Sequence, residues 1–209
     1  MRLHLPRPLL PALAGALAMP ALAFFFATAL LLQFLRPDLD WLHTPISFYL
    51  LGPGSGWLVA AYFALDLALA LVGLGLHLAL VPTARRLLAP ILFAASGVCV
   101  IIVALAHTDT GLEPLPTEHG ILHNMAAAFA FLSACLGMLL QSWGFRADPR
   151  WQPHFRPGFA LALATFAALW LYALWGALPR GGAQKSVILL IVLWLLLACR
   201  WLMRMRPEA

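Results

Sequence analysis

Apolar residues do not alternate with polar ones along this chain. They come in six long blocks separated by short polar stretches. The blocks run from about Leu9 to Leu35, Trp57 to Leu80, Leu87 to His107, Glu118 to Trp143, Gly158 to Leu178 and Ser186 to Met203. A helix needs about 20 mostly apolar residues to cross the hydrocarbon of a bilayer. No block keeps a period of two over its length, so strands are disfavoured. A helix also satisfies its own backbone polar groups in lipid. The pattern therefore predicts an all-α polytopic bundle of six transmembrane helices, with residues 1–209 forming one membrane domain.

Composition supports this reading. The chain is 63% hydrophobic and 10% charged, against roughly 45–50% and about 25% in a soluble domain. A water-soluble enzyme, a disordered chain and a disulfide scaffold are excluded. Cys99, Cys135 and Cys199 all fall inside apolar blocks, and no CxxC pair is present to hold a metal. The net charge of +5 does not form one basic patch, so no nucleic-acid partner is expected. Membrane lipids are the expected surroundings and partners.

The basic residues instead set an orientation. With the N-terminus inside, the inner face collects Arg2, Arg7, Arg85, Arg86, Arg146, Arg150, Arg156, Arg200, Arg204 and Arg206. The outer face collects only Arg36, Arg180 and Lys185. Positive charge stays in the cytoplasm, so both termini are expected inside. Arg2 and Arg7 before an apolar run, with Ala21-Leu22-Ala23 beyond, imitate a signal peptide. The apolar run continues to Leu35, well past a signal core of about 7–15 residues. An uncleaved first helix, kinked at Pro20, is expected.

Polar residues near the membrane are the informative ones, and most of them lie at the outer face. The first outer loop supplies His43 and Ser47, the end of the third helix His107 and Asp109, and the start of the fourth Glu118, His119, His123 and Asn124. His119 and His123 are spaced i, i+4, which places them on one helical face, one turn apart. Two imidazoles so placed can share a metal ion. Asp109 or His43 would supply a third zinc ligand, with water in the open position. The competing reading is a hydrogen-bonded or ligand-contacting cluster without metal. Below it, Ala126, Ala130 and Ala134, beside Ser133 and Gly137, form a stripe of small residues that allows close helix contact and would turn both histidines toward the bundle.

Asp66 lies inside the second helix, where an ionised carboxylate costs about 2.5–3.5 kcal/mol. It requires a proton or a partner, and Ser96, Gln33 or a backbone carbonyl are the candidates. A protonated structural residue is favoured over a proton relay. His77 has no histidine at its own depth, which argues against a haem bridged between helices.

Several stretches carry a resemblance. His43-Thr-Pro-Ile-Ser47, Gly52-Pro-Gly-Ser-Gly56-Trp57, the helix ending at Asp109, Gly120-Ile-Leu-His123-Asn124 and Ala130-Phe131 resemble the bacterial six-span family catalogued as domain of unknown function 998. The resemblance spans about Leu13 to Met203 and implies a bacterial inner membrane. That family distantly resembles eukaryotic six-span autophagy modulators and GPI-anchor processing factors, which would imply a role in lipid biology. Ser47, Asp109, His119 and His123 also mimic the ingredients of the zinc-dependent membrane hydrolases related to alkaline ceramidases. Those proteins usually have seven spans and carry HxxxH in the last helix, so the likeness is one of chemistry. Two functions follow as expectations: binding or handling a lipid or other amphiphile at the outer His/acid cluster, or metal-dependent hydrolysis of a lipid amide or ester.

Overall fold

A computed structural model describes residues 9–110 and 113–204. Arg2, Arg7 and Arg206 of the charge pattern lie outside the described residues. Six long helices run in chain order: α1 Leu9–Leu35, α2 Ser55–Ala79, α3 Leu88–Leu105, α4 Glu118–Gly144, α5 Gln152–Leu174 and α6 Arg180–Met203. All six are long and apolar enough to cross a membrane, and no strand occurs among the described residues. Consecutive helices pack against each other, and α6 returns to close against α1. The upper end of the bundle holds residues 36–54, 106–110, 113–117 and 175–179. The lower end holds residues 80–87 and 145–151.

Two helices begin six residues earlier than their apolar blocks predict. Helix α5 begins at Gln152, six residues before the expected Gly158, because Pro153 falls in its first turn. N–H groups there have no intrahelical partner, so a proline loses nothing. Pro157 is then carried inside the helix. Helix α6 begins at Arg180, six residues before Ser186. Its first-turn N–H groups find acceptors in the upper loop: Gly181 N donates to His43 O (3.1 Å) and Gly182 N to Leu42 O (2.6 Å). Gly181 permits this approach, since a Cβ there would overlap the Thr44 backbone.

The small-residue stripe of α4 is buried. Ala126, Ala130, Ser133, Ala134 and Gly137 all point inward. Ser96 of α3 donates to Ala130 O (2.9 Å), and Phe93 fills the notch left by Gly137. By contrast, α5 buries only Gly158, Ala162 and Thr165. It sits at the periphery, and it leaves a gap beside α4 toward the upper end.

The lower end is held by a charged latch. Asp148, with a side chain 0% exposed, accepts from Val81 N (2.9 Å), from Arg150 N (3.0 Å) and from Arg150 Nη2 (2.9 Å). The same Arg150 Nη2 donates to Ala79 O (3.0 Å). Arg85 donates to Leu80 O (3.0 Å) and Leu78 O (2.9 Å). Two arginines thus satisfy the terminal carbonyls of α2, where the helix dipole favours cations. Burial alone would push the Asp148 carboxyl up. The Arg150 guanidinium and the N–H groups of Val81 and Arg150 outweigh it and hold the carboxyl below the usual carboxylate range.

Candidate functional site

The outer polar residues separate into three local arrangements. His43 is 64% exposed and pairs with Asp40 through Nδ1 (2.6 Å). That contact and the Leu42 N–H hold the Asp40 carboxyl below its ordinary range. Asp109 acts as a cap: it accepts from Thr117 N (3.1 Å) and from Thr117 Oγ1. Thr117 Oγ1 in turn accepts from Gly120 N (3.0 Å) as the N-cap of α4. The carboxylate lies in the notch of Gly120, at the positive end of the helix dipole. Glu118 is exposed in the same first turn.

The two histidines expected on one inward face part company. His119 is exposed and meets the exposed His107 edge-on, with ring centroids 6.3 Å apart. His123 is buried, 2% exposed. Residues four apart differ by about 40° around a helix, and His119 lies in the first turn of α4, above the packed wall. Among the described residues, no three His, Cys, Asp or Glu side chains come together in a group that could hold a metal ion. His43, Asp109, His119 and His123 thus do not form one donor group in this arrangement.

His123 is the residue that enters the interior. Its Nδ1 lies 2.8 Å from Ala106 O. A carbonyl only accepts, so Nδ1 carries a proton in this contact. His123 lines two adjoining spaces. One is a cleft of about 590 Å³ between α4 and α5, open at the upper end, walled by Phe131, Leu132, Leu169, Trp170 and Tyr172. The other is a chamber of about 70 Å³ in the bundle, lined by apolar side chains with Tyr62 and Ser96. Ser47, His123, Ala127, Phe131 and Gln184 line both.

Three polar side chains from separate elements meet at this junction: Ser47 from the 3-10 turn Ile46–Leu50, His123 from α4 and Gln184 from α6. Ser47 and Gln184 are each 7% exposed. Gln184 Oε1 accepts from Ile46 N (2.9 Å), which ties the upper loop to α6. Asn124 borders the cleft from its exposed side. An α6 beginning at Ser186 leaves Gln184 and Arg180 in a loop, so the sequence marks Arg180 only as an outer charge and Gln184 not at all.

Asp66 is half-buried and turns toward α3, against Gly97, where a Cβ would overlap its carboxyl oxygen. Its expected partners are engaged elsewhere: Ser96 with Ala130 O, and Gln33 with Ala29 O (3.0 Å). Neither Asp66 nor Asp109 lines the cleft or the chamber. Gly97→Ala is expected to lower stability by about 1–3 kcal/mol through overpacking, read as Tm in detergent. An unchanged Tm would mean that the carboxyl swings away freely.

Six membrane-length apolar helices, packed as an all-α bundle, define a multi-pass membrane protein. The family model described as "Protein of unknown function (DUF998)" matches residues 19–201, and the chain belongs to that family. No curated protein and no solved structure gives a match.

Proposed function

We propose that this protein lies in a bacterial cell membrane, with its upper end outside and both termini in the cytoplasm. In this reading it binds a lipid or other amphiphile in the cleft between α4 and α5. The observation that carries it is the composition of that cleft. Apolar and aromatic walls lead to Ser47, His123 and Gln184, three polar side chains more than nine-tenths buried. Buried polar groups cost free energy unless they are hydrogen-bonded. Ligand sites in general combine an apolar lining with a few placed polar groups. An amphiphile supplies both halves: a chain for the walls and a polar group for His123 and its neighbours. The expected His/acid cluster is thereby narrowed to His123, with Ser47 and Gln184 beside it.

Native mass spectrometry of the purified full chain in mild detergent tests this. Wild type is expected to retain about one lipid per chain, as occupancy of this cleft implies. Ala128→Phe, which fills the cleft from its exposed wall, should lose it, with Ala173→Phe as a second blocking variant. Equal retention by folded blocking variants would move the site elsewhere. About one zinc per chain in the same sample would favour the hydrolase instead.

The orientation has its own measurement. In a variant lacking the native cysteines, single cysteines at Pro114 and Gly176 should label from outside intact cells. Cysteines at Arg86 and Gln152 should label only after permeabilisation. Reaction at position 86 in intact cells would invert the topology.

A further inference from the structure

We propose that the cleft selects an amphiphile with an anionic headgroup, a phosphate or carboxylate lipid, and that Arg180 is the residue that recognises the charge. This rests on the amphiphile reading above and adds the headgroup chemistry to it.

The argument begins with the cations at the upper end. Three are described there: Arg36, Arg180 and Lys185. Arg36 is consumed by Asp38, with Nη2 to Oδ2 at 2.7 Å and Nε to Oδ1 at 2.9 Å, and by Leu51 O at 2.6 Å. Lys185 donates to two backbone carbonyls, Trp41 O at 2.5 Å and Thr44 O at 3.0 Å. Arg180 differs from both. Its one hydrogen bond among the described residues is from Nη1 to Tyr172 O (3.2 Å), and no carboxylate pairs with it. A guanidinium has five N–H donors, so most of its capacity remains. Arg180 is also the only one of the three that borders the cleft.

The acids are distributed in the opposite sense. Asp38, Asp40 and Asp109 are bound to Arg36, His43 and Thr117, Glu113 accepts from Thr110 N, and Glu118, exposed in the first turn of α4, does not line the cleft. No Asp or Glu lines the cleft. Its polar end therefore carries one positive charge, with no carboxylate among the described residues lining the cleft beside it. An anion is favoured there and a cationic headgroup is repelled.

The guanidinium is also held in position. It lies 4.6 Å over the Tyr172 ring, and Tyr172 meets Phe131 across the cleft, centroids 6.3 Å apart. An aromatic face orients an arginine while leaving its outer N–H groups for bidentate contact with a phosphate or carboxylate. Below Arg180, the α4 wall runs from Asn124 to Leu132. Eight residues make roughly 12 Å of helix, most of the approximately 15 Å of hydrocarbon in one leaflet. A lipid of the outer leaflet could place its headgroup at Arg180 and its chain along α4 without leaving its own depth.

The test titrates the detergent-purified full chain with phosphatidylglycerol or phosphatidylcholine of identical acyl chains and reads bound lipid by native mass spectrometry. Wild type is expected to prefer phosphatidylglycerol roughly tenfold, the equivalent of about 1.4 kcal/mol. Arg180→Gln should bring the two lipids to near parity while still binding both, and Arg180→Lys should recover part of the preference. A preference unchanged in Arg180→Gln, or none in wild type, overturns the inference while leaving a lipid-binding cleft in place. Failure of wild type to retain either lipid overturns the amphiphile reading itself. Displacement of phosphatidylglycerol by millimolar glycerol phosphate would identify a soluble phosphate as the ligand and overturn the assignment to a lipid.

Discussion

Asp148→Ala is expected to destabilise the protein by about 3 kcal/mol, roughly 6–12 °C in Tm for a chain of this size. The carboxylate is wholly buried, while Arg150 is 41% exposed. Breaking a buried pair by removing one partner costs about 3–5 kcal/mol, and partial solvation of Arg150 places this case at the low end. Two further losses point the same way. Val81 N loses its acceptor, and Arg150 loses the anchor that aims Nη2 at Ala79 O. Asp148→Asn should recover only part of the stability, since its amide nitrogen would face N–H donors. The pH dependence carries a sign. The folded carboxyl sits below its ordinary value, so its stabilisation is complete above the unfolded value of about 3.9. It is lost as pH falls through the depressed folded value. Wild type should therefore lose Tm below about pH 4 by a component that Asp148→Ala lacks. Thermal unfolding in detergent reads both effects, and a Tm within about 2 °C of wild type at neutral pH would refute the latch.

The six helices were legible because length and unbroken apolarity are local properties of sequence. Helices α1 and α4 begin where the pattern places them, at Leu9 and Glu118. What local reading could not supply was which distant group answers each polar residue. Asp109 was read as a candidate ligand, yet its partner is Thr117, eight residues on, across a turn whose shape the pattern does not encode. Asp148 lies in an inner loop that reads as interfacial, and nothing local in the sequence marks it as a buried anchor. Its importance comes from Val81, 67 positions earlier. The i, i+4 histidines were correctly placed on one helix. The extent of burial over its first turn depended on neighbours, and it separates His119 from His123. Gln184 shows the same limit in another form. Its role follows from α6 starting at Arg180, and that start is enabled by acceptors in a loop some 140 residues away in sequence.

Gly181→Ala tests this last dependence and joins the fold to the site. A Cβ at position 181 would lie 2.7 Å from Thr44 C and 2.8 Å from Thr44 N, and it would overlap Thr44 O. These are backbone atoms, so no rotamer change relieves the clash; the upper loop or the first turn of α6 must move. Overpacking of this kind costs about 1–3 kcal/mol. The displaced loop also strains the bonds from Gly181 N to His43 O and from Gly182 N to Leu42 O, each worth about 1 kcal/mol. The bond from Ile46 N to Gln184 Oε1 lies in the path of the same movement, and Ser47 follows it in sequence. The variant is therefore expected to lose both stability and lipid retention. Gly176→Ala is the matched control, because a Cβ there meets nothing within 4 Å. Equal Tm and equal lipid retention in the two variants would show that the upper loop is not docked on α6. A fall in both for Gly181→Ala alone would show that one glycine governs the approach on which Gln184 and Ser47 depend.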